Sequence, residues 1–137
     1  AAATIYAASM DQRIDAVVAV APFAHPAEMM RENFSFPAPV TWALLHIVEW
    51  MIGHDYDDIA PRNRISEVTT PVMLVHGDAD TVIPISDSIE LHRRLPGSEL
   101  VVVPGGTHAD LDPFRPFFDA VDTFLRTHLH APSSLGS

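Results

Sequence analysis

The chain has 137 residues, of which 47% are apolar and 19% are charged, so it has the size and composition of one domain with a packed core. Eight Lys and Arg residues against 18 Asp and Glu residues give a formal net charge of −10, which repels phosphate backbones and excludes nucleic acid as a partner. No apolar stretch reaches the roughly 20 residues of a membrane span, and the lack of cysteine excludes disulfides and thiolate zinc sites. Nothing fixes the compartment, so a cytoplasmic location is only the default expectation.

The first residues predict a helix followed by a buried strand. Residues 1–10 are rich in alanine, the best helix former, and contain no helix breaker. Because this run begins abruptly, we interpret it as the interior of a helix whose start lies upstream. Residues 14–21 form a nearly continuous apolar run that ends at Pro22, a pattern typical of a strand buried on both faces of a parallel sheet.

Residues 26–65 interrupt the alternation of strands and helices. Two helices are predicted there, at about residues 27–32 and 40–52, with a proline-containing stretch at 34–39 between them. The second helix is apolar nearly all round, through Trp42, Leu44, Leu45, Ile47, Val48, Trp50, Met51 and Ile52. The segment is too long for an ordinary connection. Its apolar surface either packs against the sheet or covers a binding site.

Two further strands are predicted at residues 71–75 and 99–103, each followed by a glycine-containing turn. Between them, residues 87–95 predict a helix, with Ser86 or Asp87 as its N-cap and Glu90 completing a capping box.

A last helix is predicted over residues 113–130, where apolar residues recur at helical spacing. Strands that alternate with helices through short links predict an α/β fold with a parallel sheet and right-handed crossovers.

Two turns carry the residue types of hydrolytic chemistry. Asp80 lies in the turn His-Gly-Asp-Ala-Asp-Thr-Val-Ile-Pro, which follows the strand at 71–75. His108 lies in Pro-Gly-Gly-Thr-His, which follows the strand at 99–103. Ligand sites of parallel α/β sheets lie at the carboxyl ends of strands, so we expect the two side chains to meet there. A carboxylate bonded to an imidazole fixes its tautomer and stabilises the imidazolium formed during proton transfer.

The two turns resemble those of the α/β-hydrolase superfamily, in which they carry the acid and the histidine of a Ser-His-Asp triad. The resemblance implies a partial α/β-hydrolase fold with three parallel strands, flanking helices and a small helical cap insertion. It assigns the acid to Asp80 and the histidine to His108, in the chain order that this fold uses. The implied parts are core at 1–25, cap at 26–65, core with both turns at 66–130, and a tail at 131–137.

The nucleophile elbow Gly-x-Ser-x-Gly does not occur in the sequence. By the spacing of the family, its serine should lie a few residues before Ala1, so the chain is expected to be the C-terminal half of such a protein. Ser9 lacks both flanking glycines and follows helix-like sequence, which leaves it a weak alternative. Ser86 and Ser88 are better explained as helix-cap residues.

A metal site is the rival interpretation of the same turns. His76, Asp78 and Asp80 alternate, and His108 could act as a fourth ligand for zinc or manganese. The usual helical His-x-x-x-His pattern is missing, and the hydrolase resemblance already accounts for His76. We expect no metal. His46, His54, His128 and His130 are interpreted as bystanders.

The resemblance therefore implies a carboxylic ester hydrolase of the esterase or lipase type, which needs no cofactor and takes a small hydrophobic ester. Its serine would come from the missing N-terminal half. The expected partner is that half on another chain, or a second copy of this chain that pairs edge to edge. The alternatives are a non-catalytic hydrolase-fold module that binds or dimerises, and a metal-dependent hydrolase.

Overall fold

The computed structural model describes residues 1–129, which form a three-layered α/β unit with helices on both faces of a parallel sheet. The strands are β1 (Val17–Val20), β2 (Val72–Gly77) and β3 (Glu99–Val103), in the spatial order β1-β2-β3. Both pairings are parallel, with Val17 opposite Val72 and Met73 opposite Glu99. The predicted fold class is confirmed. The predicted tail at 131–137, together with His130, lies outside the described residues.

The helices are α1 (Ala2–Met10), α2 (Pro26–Asn33), α3 (Ala38–Ile52), α4 (Tyr56–Ile59), α5 (Pro61–Arg64), α6 (Ile85–Arg94) and α7 (Phe118–His128). Two 3₁₀ turns, Ile65–Glu67 and Asp112–Phe117, precede β2 and α7. None of the helices within residues 1–129 has the length and hydropathy that crossing a bilayer requires.

The central strand β2 is buried along its whole length, because each face of the sheet is covered by helices. On one face Leu74 packs in a core with residues of α1 and α6, among them Ile5 and Leu91. On the other face Met73 and Val75 pack against Phe124 of α7. These apolar layers hold the carboxyl end of β2 in a fixed place relative to β3.

Two local predictions are wrong. Helix α6 begins at Ile85, directly after Pro84, and no side chain caps it. Ser86 and Asp87 therefore lie inside the first turn instead of before it, because Pro84 already sets the backbone angle from which the helix starts. In addition, β1 is shorter than predicted and is not buried on both faces, since Val20 is 44% exposed at its end.

Within the segment 26–65, α2, α3 and α4 form a small apolar core of their own, whereas Ile65 at its end packs in the core of the sheet. Ala27, Leu45 and Tyr56 are buried in the small core, and no residue of the sheet belongs to it. Much of α3 stays exposed, including Trp50 at 82%. The second predicted helix is present, but its apolar surface does not pack against the sheet.

Candidate active site

Asp80 lies three residues beyond the end of β2, in a turn that its own side chain organises. Its Oδ1 accepts hydrogen bonds from the backbone N–H groups of Val82 and Ile83, both at 2.9 Å. Such side-chain-to-backbone bonds are typical of aspartate in turns. They occupy Oδ1 and leave Oδ2 to face the neighbouring loop.

His108 is brought to the same edge of the sheet by a glycine turn after β3. Gly105 has φ +69°, a left-handed conformation that glycine adopts without steric cost. Gly106 passes so close to Gly77 that a Cβ on Gly77 would lie 2.1 Å from the Gly106 carbonyl oxygen. The Ala79 N–H donates to that carbonyl at 3.0 Å. The two loops touch because neither glycine carries a side chain.

Asp78 ties the same two loops together from the solvent side. Its Oδ1 accepts the Gly105 N–H at 2.7 Å, and its own N–H donates to the Val103 carbonyl at 3.1 Å. In the sequence Asp78 is only a candidate metal ligand. The structure gives it a bond between the loops, so it fixes the turn that presents His108.

The structure places Asp80 and His108 in contact, with Oδ2 and Nδ1 3.0 Å apart. The Asp80 side chain is 1% exposed, whereas that of His108 is 42% exposed. A carboxylate bonded to Nδ1 favours the tautomer that carries its proton on Nδ1. Within residues 1–129 no hydrogen bond is made by Nε2. The pair is therefore arranged to accept a proton at Nε2.

The carboxylate of Asp80 is stabilised in its charged form. Burial acts to raise its pKa, but the N–H of Ile83, the imidazole of His108 and the N–H of Val82 act together to lower it. The net effect is a pKa below the ordinary value of 3.8. Asp80 can thus remain ionised at neutral pH in spite of its burial.

His76 is a buried part of this site whose role the sequence does not predict. Its side chain is fully buried, with Nδ1 2.6 Å from the Ser88 hydroxyl and Nε2 2.8 Å from the Ile83 carbonyl. Nε2 also lies 3.7 Å from Oδ2 of Asp80. A histidine in a run of apolar strand residues was the available signal, although its partner Ser88 is twelve positions away.

The other predicted alternatives are not assembled at this edge. Within residues 1–129 no group of three or more His, Cys, Asp or Glu side chains is arranged to hold a metal ion. Both ring nitrogens of His76 are already bonded. Ser9 lies in α1 and donates to the Tyr6 carbonyl at 2.7 Å, so it is not on a strand-to-helix turn. Ser88 is buried against His76 and does not cap α6.

The remaining predicted bystanders lie away from the pair. His46 is 3.0 Å from a carboxylate oxygen of Glu49 on α3, and His54 is exposed. The ring of His128 packs on Phe124, with centroids 4.7 Å apart. None of the three contacts Asp80 or His108 through a hydrogen bond described in residues 1–129.

The segment 26–65 reaches the acid turn through the end of α2. Asn33 donates from Nδ2 to the Val82 carbonyl at 3.0 Å, two residues beyond Asp80. Next to Asn33 lies an apolar hollow of about 170 Å³ between α2 and α3. It is lined by Met30, Phe34, Phe36, Thr41, Leu44, Leu45 and Val48.

The model of the prolyl oligopeptidase family matches residues 2–114, which include Asp80 and His108. Among curated proteins, the chain is 36% identical over 63 residues to a pimeloyl-[acyl-carrier protein] methyl ester esterase of Neisseria meningitidis, covering 46% of the chain and 22% of the relative. It is 29% identical over 75 residues to human alpha/beta hydrolase domain-containing protein 17C, covering 54% of the chain and 23% of the relative.

Solved structures show the same fold at low identity. The esterase Pf2001 of Pyrococcus furiosus superposes with a TM-score of 0.66 at 21% identity, over 91% of this chain and 49% of that one. The chain matches 18 to 24% of the length of the first curated relatives. The activity, substrates and partners of the whole protein are therefore matters of proposal.

Proposed function

Because the chain belongs to the prolyl oligopeptidase family of α/β-hydrolases, we propose that it supplies the acid and the histidine of a serine hydrolase that cleaves carboxylic esters. The observation that carries this proposal is the 3.0 Å contact between Oδ2 of Asp80 and Nδ1 of His108, with the imidazole partly exposed. The nucleophilic serine would lie outside this chain.

Each residue has a defined part in this mechanism. Nε2 of His108 takes the proton of the serine hydroxyl as the serine attacks the ester carbonyl, and later gives the proton to the leaving alcohol. Asp80 stays ionised, holds the Nδ1 proton and stabilises the imidazolium between the two steps. Backbone amides near the serine would bind the oxyanion. The mechanism uses no cofactor and no metal.

The substrate proposed is a small hydrophobic ester. The hollow between α2 and α3 is lined almost entirely by apolar side chains, and Asn33 fixes the end of α2 beside the acid turn. A volume of about 170 Å³ suits a short acyl or alkyl group. In this role the segment 26–65 is a cap over the site.

Peptide hydrolysis is the second candidate, and the match to a family named for oligopeptidases favours it. The same acid and histidine serve both reactions, since both pass through an acyl-enzyme. The nature of the leaving group distinguishes them. A nitrophenyl ester and a peptide nitroanilide of matched acyl group separate the two candidates directly.

The test requires the polypeptide or complex that supplies the serine. We expect ester turnover that survives EDTA and that falls by about 10⁵- to 10⁶-fold in His108→Ala. His54→Ala, an exposed histidine of the cap segment, is the matched control and should keep full activity. Turnover that EDTA abolishes would support the metal-dependent alternative. No turnover with either substrate would favour a non-catalytic binding module.

A partner that completes the sheet is part of the proposal. Strand β1 forms one edge of the three-stranded sheet, and unpaired edges invite association. The partner would be the serine-bearing half or a second copy of this chain. Light scattering after size exclusion tests this: we expect this chain alone to exceed its 15.0 kDa monomer mass, and a stable monomer in the absence of other chains would contradict it.

A further inference from the structure

The buried imidazole of His76 lies directly behind the acid turn, at the carboxyl end of β2. Neither ring nitrogen reaches solvent, and both are within hydrogen-bond distance of a protein group. A buried polar side chain is costly unless it is bonded, and an apolar residue would fill the same space at lower cost. The presence of histidine here therefore calls for an explanation beyond packing.

The partners of the ring determine its protonation state. The Ile83 carbonyl oxygen can only accept, so Nε2 carries a proton and donates it. Nδ1 can then accept the hydroxyl proton of Ser88 at 2.6 Å. The hydrogen-bond partners thus place a proton of His76 on Nε2, whereas the bond to Asp80 places that of His108 on Nδ1.

The bond from Nε2 acts on Asp80 through one residue. Ile83 receives it at its carbonyl oxygen and donates its own N–H to Oδ1 of Asp80 at 2.9 Å. The carbonyl and the N–H of Ile83 are therefore both fixed by hydrogen bonds. They fix the direction from which the turn binds the carboxylate of Asp80. Oδ1 stays bound to the turn, and Oδ2 keeps its place opposite His108.

We propose that His76 is a positioning residue that, with Ser88, orients the carboxylate of Asp80 toward His108. For turnover this inference rests on the proposed function, because His76 touches no reacting atom. For the geometry of the turn it stands independently. The bond to Ile83 is what matters, so a side chain that keeps a donor at the place of Nε2 should keep the effect.

The chain offers a matched control in a second histidine–serine pair. Nδ1 of His92 on α6 lies 2.8 Å from the hydroxyl of Ser98, which precedes β3. This pair is also at least half-buried, but among residues 1–129 no hydrogen bond joins it to the acid turn. His92→Phe removes a histidine–serine bond at a place where we expect an effect on stability alone.

The first arm is amide hydrogen exchange in this chain, which needs no serine. His76→Phe should reduce the protection of the Val82 and Ile83 amides at least tenfold relative to the amides of β3. His76→Gln, whose amide can donate to the Ile83 carbonyl, should restore most of it. Ser88→Ala should give an intermediate loss, and it stays informative where His76→Phe fails to fold. His92→Phe should leave these two amides unchanged relative to β3.

The second arm is turnover in the serine-containing polypeptide or complex. We expect His76→Phe to lower kcat by tenfold or more with KM within twofold, and His76→Gln to recover most of the loss. Equal losses in His76→Phe and His92→Phe, or unchanged protection of Val82 and Ile83, would overturn the inference. A wild-type protein without turnover but with the expected exchange pattern would defeat the proposed function and leave the positioning role supported.

Discussion

The two loops at the end of the sheet differ from the segment 26–65, the proposed cap, in the interactions that hold them. At the sheet edge, backbone and side-chain bonds join residues 27 and 28 positions apart, as between Asp78 and Gly105 or Asp80 and His108. In the cap segment, a small core leaves large apolar side chains exposed, with Trp50 at 82%. The edge is fixed by bonds between its two loops, whereas the segment 26–65 combines a small apolar core with bonds within the segment, such as Arg62 to Glu28 and the Tyr56 N–H to Glu49.

Under the proposed function, this difference separates chemistry from recognition. A proton-transfer pair must keep its distance within a fraction of an ångström, which requires rigid support. A surface that receives variable apolar groups needs only shape and low polarity. We therefore expect substitutions at the edge to change activity strongly, and substitutions in the cap to change substrate preference and leave the pair intact.

The largest effect is expected at the acid. Asp80→Asn keeps the size of the side chain but removes the charge that holds the Nδ1 proton of His108, and kcat should fall on the order of 10⁴-fold. Steady-state kinetics of ester hydrolysis by the serine-containing protein measure this fall in kcat. Asp57→Asn, an exposed carboxylate of the cap segment, is the control. A loss below tenfold in Asp80→Asn would break the distinction between edge and cap.

The next effect concerns the contact between the loops. Gly77→Ala places a Cβ against the Gly106 carbonyl, so the loops must separate. We expect kcat to fall about 10²-fold and the free energy of unfolding to fall by about 1–3 kcal/mol. Gly97→Ala, where a Cβ meets nothing within 4 Å, should leave kcat unchanged. Equal behaviour of the two variants would show that the close approach is not required.

Core substitutions are expected to affect stability more in the sheet than in the segment 26–65. Leu74→Ala opens a cavity in the fully buried β2 and should cost about 2–5 kcal/mol of unfolding free energy. Leu45→Ala in the cap core should cost no more than about 2 kcal/mol, at the lower end of that range. Trp50→Ala should lie within about 0.5 kcal/mol of wild type because the ring is exposed. Urea unfolding followed by circular dichroism measures all three, and the reverse order would contradict this account.

The smallest effects are expected in how the free energy of unfolding depends on pH. The pKa of Asp80 is lowered in the folded chain, so its stabilising contribution is present above 3.8 and is lost as pH falls through the lower folded value. Asp80→Asn should therefore approach wild-type stability below pH 3.8.

Asp87 should behave in the opposite way. Its pKa is raised, first by burial and also by Glu90, although the Ala24 N–H acts to lower it. Its contribution is present below 3.8 and is lost as pH rises through the raised folded value. The free energy of unfolding of Asp87→Asn should therefore increase relative to that of wild type as pH rises toward neutrality. Parallel pH curves for the two variants would contradict both assignments.

The sequence contains enough information for the order of elements and for the two catalytic candidates. The strands could be predicted because their apolar residues follow one another without interruption, as at the start of β2. Strand β3 is found at its predicted bounds, Glu99–Val103. Asp80 and His108 follow strands that are neighbours in the sheet. Whether they act as a triad pair stays a proposal, but their contact follows from parallel pairing.

Other features depend on tertiary contacts that no local pattern reports. Serine is a residue type that often caps helices, yet Ser88 bonds His76 because α6 packs over β2. Helix α6 begins earlier than predicted because Pro84, and not Ser86, occupies the N-cap position. The apolar α3 gives no sign in sequence of which side it buries, and only packing with Ala27 and Tyr56 decides it.

In the proposed pair, Asp80 holds the proton of His108 on Nδ1 and leaves Nε2 free to accept another. Nitrogen-15 NMR of histidine-labelled chain at neutral pH reads this tautomer directly. We predict that neutral His108 carries its proton on Nδ1, and that Asp80→Asn shifts it toward Nε2. A wild-type His108 with its proton mainly on Nε2, unaffected by Asp80→Asn, would contradict the account.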